Sequence, residues 1–449
     1  MTAWELQPPH PVPDEPPRCG QAWPLLFLGA LITGLLVGTI GCAFLLMLRW
    51  GEGLRAGFIA LAWTWNPWLG WLAVCAVVAV AAALAAWLVE HVAPAAGGSG
   101  IPRVESILRG ELAAAGTWII PVKVLGGWLA LSAGLALGRE GPTVQIGAVV
   151  GERVGRLFKG IKDAWMFLMS AGAGAGLATA FNAPVGGTLF VLEEVLRRMS
   201  PLGFVLTATA CTSAVWVQRA IFELPRDYAM GILQEPPING IWLYLAMGLG
   251  LGALGVAYNR LLLALVRWLG RQRRLPLWPR AALIGIAVGT VAWFAPGWVG
   301  GGDDITQSVL HGGWLSGAFI AVVLVRFLLG PLSYAAGTPG GLFAPIMALG
   351  ALLGIAVGTG FQHLSPELVP QPLAFALAGM ATFFTATVRA PLTGIVICLE
   401  MAGNYVMFFP MLVACLAAYL VAELLHDVPI YDALARLGAP AADPGAGPP

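Results

Sequence analysis

The run Gln21–Leu48 contains no charged residue. As a helix rising 1.5 Å per residue, it is long enough to cross the roughly 30 Å hydrocarbon core of a bilayer. Trp71–Val89 meets the same requirement. Inside a bilayer every backbone N–H and C=O must find its partner within the protein, so only helices and closed barrels span it. These tracts are far longer than the roughly 10-residue alternating segments of a barrel, which leaves helices. The composition agrees: 10% of residues are charged, where a soluble domain carries about 25%. A net charge of +1 argues against a nucleic-acid surface. Cys42, Cys75, Cys211, Cys398 and Cys415 sit in apolar segments without metal-type spacing, and the five histidines are scattered without an HExxH pattern. No disulfide framework, metal site or cofactor is expected.

Further apolar tracts follow at about 113–138, 164–192, 203–218, 239–259, 281–302, 313–325, 327–361, 371–388, 390–399 and 405–422. Some exceed one crossing yet are interrupted by Gly and Pro, and others are too short. This pattern predicts an all-α membrane protein with tilted and discontinuous helices, tolerated where protein or a water-filled cavity meets the freed backbone groups. Residues 1–22 and 439–449 read as Pro-rich disordered tails around one membrane domain, 23–438, with no second, soluble domain. The first residues lack the basic region of a signal peptide. Basic residues gather at Arg153, Arg156, Lys159 and Lys162, at Arg197 and Arg198, and at Arg267, Arg271, Arg273 and Arg274. The positive-inside rule puts these on the cytoplasmic side.

The chain repeats itself. Ala171-Gly172, Ala183-Pro184-Val185-Gly186-Gly187 and Leu192-Glu193 recur as Ala378-Gly379, Ala390-Pro391-Leu392-Thr393-Gly394 and Leu399-Glu400, offset by 207 (391 − 184). Gly141-Pro142 with Gly147, Gly151 and Gly155 recurs as Ala344-Pro345 with Gly350, Gly354 and Gly358, offset by 203 (345 − 142). Two halves, about 23–222 and 239–438, each with an interrupted helix, are a transporter signature with the site at the repeat interface. The glycines at i, i+4 spacing form smooth stripes that read as close packing between helices.

Five helix starts share a proline-led design: Pro102, Pro142, Pro184, Pro345 and Pro429. Pro suits the first helical position, because its missing N–H would have no partner there. Pro142 in that position leaves Glu140 just ahead of a helix N-terminus, where free N–H groups and the macrodipole favour negative charge. Glycine before a start lets a ligand reach the backbone closely. Several starts converging at mid-membrane would bind an anion without a full positive charge, and so could release it again. Glu140 is then read as competing with a mobile anion for the same place.

Gly98-Ser99-Gly100-Ile101-Pro102, Gly138-Arg139-Glu140-Gly141-Pro142 and Gly341-Leu342-Phe343-Ala344-Pro345 resemble, in order, the three signature motifs of the CLC chloride channel and transporter family. The resemblance covers essentially all of 23–438. It implies about 18 helices in two inverted halves, a homodimer with one anion pathway per subunit, and chloride as bound substrate. It further implies that Ser99, the Leu342 and Phe343 N–H groups and Tyr431 bind the central anion. The backbone around Arg139, Glu140 and Gly141 would form an outer site. Glu140 matches the family's gating glutamate and Glu194 the inner proton-relay glutamate of the exchangers, which implies a proton-coupled chloride antiporter. Serine rather than proline at position 99 implies chloride over nitrate. Absence of a C-terminal regulatory domain resembles prokaryotic members, implying the bacterial inner membrane with cytoplasmic termini.

Other readings stand beside these. The same fold without proton coupling would be a passive channel gated by voltage or pH. Gly97-Gly98-Ser99-Gly100 also fits the GxSG pattern of intramembrane serine proteases, which need a histidine base on a membrane helix; His91, His311, His363 and His426 lie at segment ends or in loops. Glu140 could pair with Arg139, and Glu194 with Arg197 or Arg198. Glu193 and its repeat counterpart Glu400 read as structural, and Lys123 reads as an ion-pair partner of Glu105, with tuning of the anion potential as its rival.

Overall fold

The computed structural model describes residues 22–438 apart from 115, 199, 225–227, 229, 273–274 and 314–316. The terminal tails, and Arg273 and Arg274 of the basic cluster, lie outside the described residues. Eight helices come first: α1 (Ala22–Ala62), α2 (Pro67–His91), α3 (Ile101–Leu108), α4 (Ile119–Ser132), α5 (Glu140–Gly155), α6 (Ala164–Phe181), α7 (Pro184–Phe190) and α8 (Pro201–Ala220). Eight more repeat their order: α9 (Ile241–Arg271), α10 (Leu277–Phe294), α11 (Asp303–Leu310), α12 (Phe319–Tyr334), α13 (Phe343–Leu364), α14 (Leu373–Val388), α15 (Pro391–Ala402) and α16 (Phe408–Leu424). α17 (Ile430–Gly438) stands outside the repeat. Seventeen helices are thus described, eight of them long and apolar enough to cross a membrane.

Local chemistry sets many of the ends. The Asn66 side chain accepts from the Trp68 N–H at 3.1 Å, just before Pro67 opens α2, and Ser200 does the same for Gly203 before Pro201 opens α8; both are helix caps. The first-turn prolines differ from expectation. α5 begins at Glu140 and α13 at Phe343, so Pro142 and Pro345 are third residues, Pro102 is second in α3, and Pro429 precedes α17. The reason is that none of the first N–H groups of a helix has an internal partner, so proline fits throughout the first turn. Glu140 is therefore the first helical residue rather than the one before the helix.

α6 and α14 form the centre, buried along nearly their whole length. The glycine stripes dock α5 on α6 and α13 on α14. A Cβ at Gly147 would run into the Gly172 carbonyl, one at Gly151 into Leu168, and one at Gly354 into Phe375. The outward faces of α1, α2, α9 and α16 expose large apolar residues such as Leu25, Phe27, Leu72, Leu249 and Leu420, a surface suited to lipid.

The halves are stitched reciprocally at α7 and α15. The Glu400 carboxylate at the end of α15 accepts from the Val185 and Gly186 N–H groups of α7, at 3.2 and 2.7 Å. Glu193 in turn accepts from the Leu392 and Thr393 N–H groups of α15, at 3.1 and 2.7 Å, and from the Thr393 hydroxyl. Each half therefore caps the other's helix start, which is the structural role read for these two glutamates. Glu193 reaches α15 from a π-helical turn, Val191–Val195, that continues α7. That turn directs the neighbouring Glu194 elsewhere.

Candidate functional site

Three glycine-rich loops meet where α3, α5 and α13 begin. The Gly98 N–H donates to the Thr338 carbonyl at 3.2 Å, and Gly340 N–H donates to Gly98 O at 3.1 Å. Gly138 and Gly341 exchange both N–H···O bonds, at 2.8 and 2.7 Å. These short bridges knit the three motifs into one cluster. A Cβ on Gly141 would lie 2.7 Å from Ser99 O and 2.9 Å from Gly341 Cα, so only glycine admits this approach. Gly100, at φ 84°, turns the chain into α3 through a left-handed conformation.

At the centre of the cluster lies the fully buried Glu140 side chain. Its Oε1 accepts from the Phe343 N–H at 2.6 Å and the Ala344 N–H at 3.3 Å. Its Oε2 has no partner. The carboxylate thus occupies the start of α13, where the free N–H groups and macrodipole favour an anion. A buried charge left unpaired would be prohibitively costly, and these charge-assisted bonds offset that cost. Phe343 is held by ring contacts to Phe181 and Phe384, with centroids 4.8 and 4.1 Å away.

Around this carboxylate are donors without acceptors. The Ser99 hydroxyl and the Tyr431 hydroxyl are buried and have no hydrogen-bond partner. Among the described residues the Leu342 N–H also donates to nothing. Tyr431 enters on α17, which packs on α3, and lies within electrostatic range of Glu140. Unsatisfied buried donors of this kind each call for an explanation, and a small anion would satisfy them. Two donors or acceptors join the expected set: Ala344, within the third motif, shares the Glu140 carboxylate, and the Tyr334 hydroxyl, which no motif signals, accepts from the Ser99 N–H at 3.4 Å.

One expected pairing, Lys123 with Glu105, and one alternative pairing, Glu140 with Arg139, are replaced. Lys123 does not meet Glu105. Its buried ammonium donates to Gly98 O at 2.7 Å and Ser99 O at 3.2 Å, while Glu105 takes Arg109 at 3.3 Å. The repeat explains why: Arg326, offset by 203 from Lys123, donates to Gly300 O and Gly301 O at 2.6 and 2.9 Å. In each half a buried cation on the following helix anchors the carbonyls of the loop before the short helix. Only the first half adds a hydroxyl there, because Gly301 occupies the place of Ser99, just as Gly302 caps α11 where Gly100 caps α3. Arg139 likewise leaves Glu140 alone. Its Nε donates to Ala180 O at 3.0 Å, and its guanidinium lies 3.9 Å from Asp303, in a small recess also lined by Arg49 and Glu52.

Glu194 lies apart from this cluster, buried beside Arg197 at 3.3 Å. Arg197 also donates to Asp432 at 2.8 Å, and Asp432 accepts from Arg109 at 3.0 Å. α17 lies outside the eight candidate spans. Partial burial works against the Asp432 carboxylate, but hydrogen bonds and charge from Arg197 and Arg109 outweigh it and hold this carboxyl below its usual range.

The sequence profile of the family described as "Voltage gated chloride channel" matches residues 81–423. The chain belongs to the CLC family. An H(+)/Cl(-) exchange transporter ClcA of Salmonella paratyphi A is 36% identical over 419 residues, spanning 91% of this chain and 88% of that protein. A crystal structure of a slow cyanobacterial Cl-/H+ antiporter superposes with TM-score 0.88 and 32% identity, covering 93% of this chain and 99% of that one. A CLC-type fluoride/proton antiporter shares the fold, with TM-score 0.78 at 21% identity over 93% of this chain and 99% of that one. The CLC fold implied by the motif resemblance is thus the one observed, with 17 helices among the described residues.

Proposed function

We propose that this CLC protein is a secondary active antiporter that exchanges chloride for protons, with Glu140 as both gate and proton carrier. The observation that carries this reading is the Glu140 carboxylate bonded to the Phe343 and Ala344 N–H groups, beside unpartnered Ser99 and Tyr431 hydroxyls. Here the carboxylate oxygens stand where a chloride would receive the same N–H groups. Chloride competes for those donors, and its charge beside the carboxylate favours proton uptake. A neutral Glu140 no longer holds the anion position, leaves it, and exchanges its proton with the outer solution. Exchange follows because one group blocks the anion path when ionised and carries the proton when neutral. Glu194, on the side of Arg197 and Arg198, passes protons to and from the cytoplasm. The names of the relatives, exchange transporter and Cl-/H+ antiporter, support the same direction.

Within this reading Ser99, Leu342, Phe343 and Tyr431 bind chloride and no cofactor takes part. The working unit is a homodimer in the bacterial inner membrane with cytoplasmic termini, on the strength of the family resemblance and the basic clusters. A passive channel remains the second reading, favoured by the Glu194–Arg197 ion pair, because a glutamate held that way could be purely structural. Proteoliposomes loaded with high chloride and diluted into low chloride separate the two, with the membrane potential clamped and external pH recorded. Uphill proton uptake driven by the chloride gradient is expected. Chloride efflux without it would establish the channel.

A further inference from the structure

Below Tyr431 the chain alternates charge across three elements. Glu105 on α3 bonds Arg109, Arg109 bonds Asp432 on α17, Asp432 bonds Arg197, and Arg197 bonds Glu194 on the π-helical turn. The two ends, Glu105 and Glu194, are buried, and Glu105 Oε1 lacks a partner. Asp432 sits at the middle with both oxygens engaged, one by each arginine. It also adjoins Tyr431, so the same turn of α17 carries an anion-site hydroxyl and this carboxylate. Arg197 is held at φ 50°, a left-handed conformation that a non-glycine residue keeps only when its surroundings impose it. Its two bonds, to Glu194 and to Asp432, supply that constraint.

We propose that Asp432 is a positioning residue for proton uptake from the inner side: by sharing Arg197 with Glu194 and Arg109 with Glu105, it fixes how firmly Glu194 is held ionised and ties the Tyr431 helix to that port. This rests on the antiport reading above. Arg197 cannot give its full charge to Glu194 while Asp432 also draws on it, and the negative Asp432 nearby makes a proton on Glu194 easier to hold. The charged groups facing Glu194 are Arg197, Asp432, its neighbour Glu193 and, across α3, Glu105 with Arg109. Glu193 is committed to the α15 start. Asp432 is therefore the group whose removal changes the balance without touching Glu194 itself.

The two arms give opposite signs. In Asp432→Asn, Arg197 belongs to Glu194 alone, so the inner pH giving half-maximal proton flux falls by about one unit. Proton flux at pH 7 then lags chloride flux, so the chloride-to-proton ratio rises, and Asp432→Glu restores both values. In Arg109→Gln, Asp432 draws more strongly on Arg197, and the same midpoint moves to higher pH. Both are measured with full-length protein in vesicles whose internal and external pH are set separately, after size-exclusion confirms folded protein. Midpoints that shift in the same direction, or fluxes that fall together with an unchanged midpoint, would overturn the proposal and leave Asp432 a structural tie. If Asp432→Asn does not fold, Arg109→Gln with an unmoved midpoint overturns it alone. Wild-type protein in the same vesicles is the control: no uphill proton movement there defeats the antiport reading and this inference together, whereas normal wild-type pumping with unaltered variants defeats only this one.

Discussion

Carboxylates from elsewhere in the chain meet the helix N-termini of the seam and of the three-loop convergence, and they do so differently. At the seam between halves, Glu193 and Glu400 use both oxygens, each on two successive N–H groups of the other half's helix. At the convergence of the three loops, Glu140 uses one oxygen on Phe343 and Ala344 and leaves the other bare. The seam is saturated and symmetric about the repeat. The Glu140 site is asymmetric, since Ser99 has only Gly301 as its counterpart, and it retains donors with nothing to bind. In the proposed mechanism, the same electrostatics that locks the seam leaves Glu140 replaceable by a mobile anion. Function resides where the hydrogen-bond account is left open.

Substitutions can break this comparison. Glu140→Gln is expected to reduce coupled proton movement to the passive leak while chloride flux persists and loses its pH dependence, read in the proteoliposome assay. Glu400→Ala should instead destabilise the fold by on the order of 2–4 kcal/mol, because one buried and one part-buried N–H group lose a charged acceptor. Unfolding in detergent checks this, and the chloride-to-proton ratio of the folded fraction should be unchanged. Ser99→Ala removes one hydroxyl donor to a charged acceptor, worth roughly 1.5–3 kcal/mol, so chloride binding by calorimetry should weaken about ten- to a hundredfold. Tyr431→Phe should weaken it less, by up to about tenfold, because the remaining ring still fills the site. Arg139→Gln should change the exchange ratio least of all, since its guanidinium is engaged with Ala180 O and faces Asp303 rather than Glu140.

How much of this was readable in the sequence depends on the range of the interaction. The glycine stripes, the proline-led starts and the repeat are local or periodic, and they located the three converging loops and the Glu193–Glu400 pair. Lys123 was misassigned to Glu105 because an apolar run containing one cation suggests a countercharge. Its real partners are backbone carbonyls, which no residue type advertises; the parallel Arg326 at offset 203 was the available clue. The helix starts were misplaced by one or two residues, since proline is equally tolerated at any first-turn position. Tyr334 and Asp432 carry no motif, and their contacts join segments far apart in the chain; Ala344 lies within the third motif, but its N–H as a second donor to Glu140 depends on where α13 begins.

The central claim is that chloride and the Glu140 carboxylate compete for one place. Calorimetric chloride titration in two buffers of different ionisation enthalpy, near neutral pH, tests it most directly by counting protons exchanged on binding. Wild-type protein should take up a fraction of a proton per chloride bound, with binding tightening as pH falls. Glu140→Gln should take up none and bind chloride independently of pH. Equal proton uptake in both proteins, or pH-independent binding in the wild type, would contradict the account.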